Sequence, residues 1–155
     1  MTVVTEHLER RGTRFEVLPH PPADTALDEA RVLGIDADEV VKAVVLDVPT
    51  GHALAIVPAS RRVDLALVRE ALGEPHVELA NEQEIGHDFP EFEPGAMPPL
   101  PSLLHVPVVI DPAVLRHRVI TFAAGSQRWS VRTAPTVLFA GASTTVAPIC
   151  RPLGS

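Results

Sequence analysis

The chain alternates runs of β-branched residues with short amphipathic stretches broken by proline and glycine. In "EVVKAVVLDV", residues 39–48, strand alternation puts Val40, Lys42, Val44 and Leu46 on one face and Val41, Ala43, Val45 and Asp47 on the other. "PTG" separates this run from "HALAIVPA", which predicts a hairpin. "RFEVLPHPP" predicts a strand that stops at its prolines, "HVELA" a short strand, and "VPVVI", "RVITFAAG" and "RWSVRTA" three more. Residues 2–11 predict a short amphipathic helix. In "DTALDEARVLGI", Thr25 is placed to N-cap a helix, Asp28 to complete a capping box and Gly34 to end it. "RVDLALVREALG" offers Val63, Leu65, Leu67, Val68 and Leu72 as an apolar helix side that ends at Gly73. "NEQEIGHDF" predicts a short acidic helix and "AVLRH" a helical turn.

Proline is too dense in "FPEFEPGAMPPLPSLLHVP" for regular structure, so this segment reads as a loop between core elements. From about residue 140 to 155 the chain reads as a small, irregular, loosely held tail. Strands and helices mix without strict βα alternation. The expected fold is therefore α/β or α+β, one domain over residues 1–155 with a mixed or antiparallel sheet.

Composition narrows the classes. The chain has 155 residues, 46% hydrophobic and 21% charged, as a globular domain with a real core requires. No apolar run reaches the roughly 20 residues that span a bilayer, and the charged N-terminus lacks a signal-peptide core, so a cytoplasmic location is expected. The net charge of −7 argues against a DNA- or RNA-coating protein but leaves room for local contact with an RNA end. Arginines group as Arg10, Arg11 and Arg14, as Arg61 and Arg62, and as Arg116 and Arg118, each readable as a solvated surface. Seven histidines stand singly without ligand spacing, and Cys150 is the sole cysteine, so neither a metal nor another cofactor is expected.

Three features remain for chemistry. Lys42 is the only lysine and lies within an apolar strand. It is either an edge or snorkelling lysine or a charge on a pocket wall. "EPGAMPPLP" is stiff and carries little side chain at Gly95 and Ala96. It is either a plain connection or a loop that presents its amides to a ligand. Asp111, before Pro112, is either a helix N-cap or a site carboxylate.

Taken in order, "VVKAVVLD", "VPASRRVDLALVREALG", "VELANEQEI", "EPGAMPPL", "VPVVIDPAVL" and "VITFAAGSQRWSVR" resemble the YbaK-like family, free-standing relatives of the editing domain inserted in bacterial prolyl-tRNA synthetases. The resemblance covers about residues 15–135. It implies a mixed, partly barrel-like sheet flanked by helices and hydrolysis of the ester joining a mischarged amino acid to tRNA. It implies catalytic roles for Lys42, Gly95 and Asp111, with the amides of Gly95 and Ala96 as oxyanion donors. Met97, Pro98 and Pro99 would limit amino-acid size, Gly125 and Ser126 form the small turn, and His20 and Thr25 lie at the pocket rim. The implied partners are the acceptor end of an aminoacyl-tRNA, held locally and weakly, and an aminoacyl-tRNA synthetase. Pro101 stands where the family has glycine and Gln127 where it often has histidine, departures that bear on pocket shape and amino-acid preference. The alternative is a non-catalytic module of the same fold that binds a small ligand or the tRNA end.

Overall fold

The computed structural model describes residues 2–139 and 143–153. Helix α1 (Val3–Arg10) is followed by β1 (Phe15–Pro19) and α2 (Ala26–Leu33), then by the hairpin of β2 (Val41–Val48) and β3 (Gly51–Pro58). A short β4 (Arg61–Val63) precedes α3 (Leu65–Leu72), β5 (Glu78–Leu79) and α4 (Glu82–Asp88). After the proline-rich loop come α5 (Pro101–Leu104), β6 (Val108–Ile110), β7 (Ile120–Ser126), β8 (Trp129–Thr133), β9 (Thr144–Val146) and β10 (Cys150–Pro152).

Five strands form a mixed sheet in the order β5-β2-β3-β6-β9. The hairpin pairs antiparallel, with Lys42 opposite Val57, and β6 adds to β3 in parallel with Ile110 opposite Ile56. A second, antiparallel sheet has the order β1-β8-β7. An isolated bridge from Val40 to Thr121 joins the two where β2 begins. The result is a mixed sheet flanked by helices, as expected, and among the described residues the strands do not close into a barrel.

Strand alternation divides the core. Val41 and Val45 pack in a large cluster with Ile56, Leu100, Ile110 and Phe122, and half-buried Met97 joins it. On the other face Leu46 packs with Val57, Val68 and Ile149, and Val40 with Ala30 and Ala59. Each such fully buried Val, Leu, Ile or Phe side chain contributes about 1.5–3 kcal/mol relative to exposure.

Four expectations need correction. The proline-rich segment does contain a helix: Pro101 sits at the first helical position of α5, where a missing N–H costs nothing. Val63 belongs to β4 rather than to the helix after it, because Asp64 caps α3 through the N–H groups of Ala66 and Leu67. Thr25 does cap α2 by accepting from the Asp28 N–H at 3.0 Å, but the Asp28 carboxylate turns to Arg31 instead of closing a capping box. The tail expected to be loose is tied in where it is described. Val108–Ile110 of β6 pairs in parallel with Thr144–Val146, β10 pairs with β4, and Ile149 is fully buried. Residues 140–142 and 154–155 of that expected tail lie outside the described residues.

Candidate functional site

The proline-rich loop is clamped from three sides. The Glu93 N–H donates to the Gly125 carbonyl at 2.9 Å, and the Gly125 N–H donates to the Ala96 carbonyl at 3.1 Å. Gln127 donates from its backbone to the Glu93 carboxylate at 2.9 Å and from its side chain to the Pro94 carbonyl at 2.8 Å. On the third side the turn before α2 presses in: a Cβ at Gly95 would lie 1.8 Å from the Asp24 carbonyl oxygen. With φ at 76°, position 95 requires glycine on conformational grounds as well. At Gly125, with φ at 81°, an added Cβ would lie 2.9 Å from the Phe92 ring, so this turn too packs closely against the loop.

This contact set brings together Gly95, Ala96, Gly125 and the His20–Thr25 turn. The turn is itself held by bonds from the Ala23 N–H to Gln127 and from the His20 N–H to Arg128. Pro98 and Pro99 are buried, Met97 is half-buried, and Thr25 is exposed and occupied as a cap. Ser126 accepts from the Arg128 N–H at 3.1 Å within the β7–β8 turn. One implied role needs correction here. The Ala96 N–H is committed to the Glu93 carbonyl at 3.0 Å, so it is not offered to an oxyanion. The Gly95 N–H makes no such bond among the described residues.

Lys42 and Asp111 form a separate group. Lys42 leaves β2 on the face between Val40 and Leu46, half-buried. Burial lowers its pKa. The Cys150 thiol is pushed up to about 12, by burial and by its hydrogen bond to Asp111, so it stays neutral near pH 7. Asp111 is buried and fully engaged. One carboxylate oxygen accepts from the Ala113 N–H at 2.8 Å, and the other from the Ile149 N–H and the Cys150 thiol, both at 2.9 Å. Burial would raise the Asp111 pKa, but these bonds outweigh it and hold the carboxyl below its usual range. Lys42 has no ion-pair partner among the described residues, and in its charged form an anion or a polarised oxygen would suit it. No hydrogen bond among the described residues links Lys42 or Asp111 to Gly95–Pro99.

Two cavities adjoin these groups, the first through Leu100 next to Pro99 and the second through Ala113, whose N–H bonds Asp111. One of about 310 Å³ is lined by Arg11, Arg14, Leu100, Ser102 and Thr136 among others. A smaller one, about 170 Å³, is lined by Asp38, Arg61, Arg116 and His117. Beside the first, His7 has its pKa lowered by burial and by the charges of Arg11, Arg10 and His105, which marks a locally positive surface on an acidic chain. Sequence reasoning missed two further clusters because their members are far apart along the chain. Asp47, His52 and Glu84 bring ligand atoms within 4.8 Å of one another. Both His52 ring nitrogens are already engaged, with Asp47 at 3.1 Å and Asp88 at 2.8 Å, so the group acts as an ion-pair clamp between the hairpin and α4. The other joins His20, Ser130 and Glu29.

Fold and clamped loop together define a mixed α/β domain whose sheets are flanked by helices. Residues 20–140 match the aminoacyl-tRNA editing domain family, and the chain belongs to that family. Among solved structures, one described as a candidate trans-editing enzyme for prolyl tRNA synthetase is 28% identical, with a TM-score of 0.81 over 96% of this chain and 94% of that one. A scaffold protein used for computational epitope backbone grafting is 26% identical, with a TM-score of 0.80 over 97% of this chain and 96% of that one. A hypothetical protein at 24% identity, with a TM-score of 0.83 over 96% of this chain and 99% of the other, shares the fold. No helix among the described residues is long and apolar enough to cross a membrane.

Proposed function

We propose that the protein hydrolyses the ester of a mischarged aminoacyl-tRNA in trans. The observation that carries the reading is the Gly95 loop, pinned by Gly125, Gln127 and the close approach of Asp24, with the Gly95 N–H left without a partner among the described residues. An aminoacyl ester is already activated, so the demands are to place water and to neutralise the tetrahedral oxyanion. A fixed amide suits the second task, and each such donor is typically worth roughly 3–4 kcal/mol. Lys42, in the separate group beside Asp111, supplies positive charge to the terminal phosphate or the ribose. Asp111 acts through the fold, since its carboxylate is spent on Ala113, Ile149 and Cys150.

The rigid bulk of Pro98 and Pro99 with Met97 sets the size limit for the amino acid, in the manner of a sieve. The positive surface around Arg11, Arg14 and the lowered His7 suits the tRNA backbone near its acceptor end. This localised contact agrees with an acidic chain. Association with a synthetase follows the description of the relative matched at 28% identity.

The commitment of Ala96 to Glu93 leaves one amide where two were expected, which favours a second reading, a binding module without turnover. A panel of mischarged tRNAs separates the two. Release of at least one amino acid supports hydrolysis, whereas saturable binding of a non-hydrolysable aminoacyl-adenosine with no release of any supports the module.

A further inference from the structure

His20, Ser130 and Glu29 form a continuous hydrogen-bonded chain from the edge of the clamped loop into the core. The His20 Nδ1 lies 2.8 Å from the Pro21 carbonyl, and its Nε2 lies 2.8 Å from the Ser130 hydroxyl. Ser130 is fully buried and also hydrogen-bonds the Glu29 carboxyl, which is 3% exposed. Donor counting then restricts the protons. A carbonyl can only accept, so Nδ1 carries a hydrogen. If His20 is neutral, Nε2 is bare and takes the single Ser130 hydrogen, and Ser130 must in turn receive one from a protonated Glu29. If Glu29 is a carboxylate, Ser130 donates to it, and Nε2 must be protonated, making His20 an imidazolium. A carboxylate with a neutral ring leaves two lone pairs facing each other, and a proton on both ends leaves the buried Ser130 hydrogen without a place in the chain.

We infer that these three residues share one proton, and that Glu29 is a positioning residue that sets the tautomer and charge of His20 at the edge of the candidate site. The charged groups on the packed elements do not contest it. Arg31 pairs with Asp28 along α2, and Arg132 of β8 pairs with Glu16 of β1 at 3.7 Å. Asp38, in the turn before β2, accepts from Ser60, Glu39 stands beside it, and β7 carries no titratable side chain. Asp24 and Arg128 lie in the adjoining turns, and the His20 N–H bonds the Arg128 carbonyl. Burial raises Glu29 to about 7 against a lowering by Ser130, so the proton is exchangeable near neutral pH. A carboxylate or phosphate oxygen approaching the His20–Thr25 turn would draw it outward and meet an imidazolium. That consequence rests on the deacylase reading; the relay itself does not.

The test combines ring ¹⁵N and carboxyl ¹³C NMR of the full chain with deacylation kinetics, for wild type, Glu29→Gln and Ser130→Ala. Glutamine keeps the packing and a hydrogen bond to Ser130 but carries neither an exchangeable proton nor a negative charge, so it removes the charged form of the pair. The expected results are an Nδ1–H tautomer for neutral His20, a Glu29 carboxyl titrating near 7, and His20 ring ¹⁵N shifts that change in both variants. In Glu29→Gln, kcat/KM at pH 7 falls about tenfold, the order expected for losing one charge-assisted contact, and its pH dependence flattens with the fold intact. An Nε2–H tautomer, or His20 ring ¹⁵N shifts unchanged by both substitutions, overturns the relay. An intact relay with wild-type kinetics in Glu29→Gln overturns the positioning role. If no tRNA is deacylated even by wild type, the deacylase reading fails, and NMR alone decides the relay.

Discussion

The Cys150 thiol donates to Oδ2 of Asp111 at 2.9 Å, and the Ile149 N–H reaches the same oxygen. One carboxylate therefore caps the helical turn after β6 and anchors the C-terminal strand segment. Asp111→Ala removes the cap and leaves the Ile149 N–H buried without a partner. A loss of about 3 kcal/mol is expected, the sum of a cap at about 1 and an unsatisfied donor at about 2. Denaturant unfolding measures it. Cys150→Ala removes a single weak donor and should cost distinctly less.

Gly95→Ala is expected to disrupt the loop although position 95 is exposed. The added methyl would lie 1.8 Å from a backbone oxygen at a φ that disfavours alanine, and a backbone atom cannot swing aside. Deacylation should fall at least about 10²-fold, the scale of losing an oxyanion donor. Gln127→Ala, which frees the Pro94 carbonyl, should raise KM while leaving global unfolding nearly unchanged.

The pH dependence of stability has a defined sign. Glu29 is raised from 4.5 to about 7. The native state therefore binds more protons than the unfolded chain between those values, and stability falls as pH rises through that window. Its size is about 3 kcal/mol for so buried a group, at 1.36 kcal/mol per pKa unit. His52 acts in the same direction. Burial lowers it, but hydrogen bonds to Asp88 and the Leu46 carbonyl, with the Asp47 charge, raise it above 6.5 overall. Its contribution is complete below 6.5 and lost as pH rises through the native value. Urea titrations from pH 5 to 8 should show declining stability in wild type, a shallower decline in His52→Gln and in Glu29→Gln, and the shallowest in the double variant.

Much of this was legible in the sequence where one local cause decides the outcome. Alternation placed Val40, Lys42 and Leu46 on one face of β2, and Thr25 and Asp111 emerged as caps because capping needs only neighbours in sequence. The ordered motifs also pointed to the family that residues 20–140 match. What could not be read is what tertiary pairing creates. The tail looked irregular because Thr144–Val146 and Cys150–Pro152 become strands only by adding to β6 and β4. Gln127 read as a departure, yet its side chain fastens the loop to the β7–β8 turn. His20, Ser130 and Glu29 lie up to 110 residues apart, so no spacing rule could have joined them.

The most direct test of the account is the initial rate of amino-acid release from the best mischarged tRNA in the panel, compared between wild type and Lys42→Ala. Losing a half-buried ammonium with no ion-pair partner among the described residues should leave the fold intact and lower kcat/KM by at least about tenfold, the order of one charged hydrogen bond. A folded Lys42→Ala variant that releases the amino acid at the wild-type rate would contradict it.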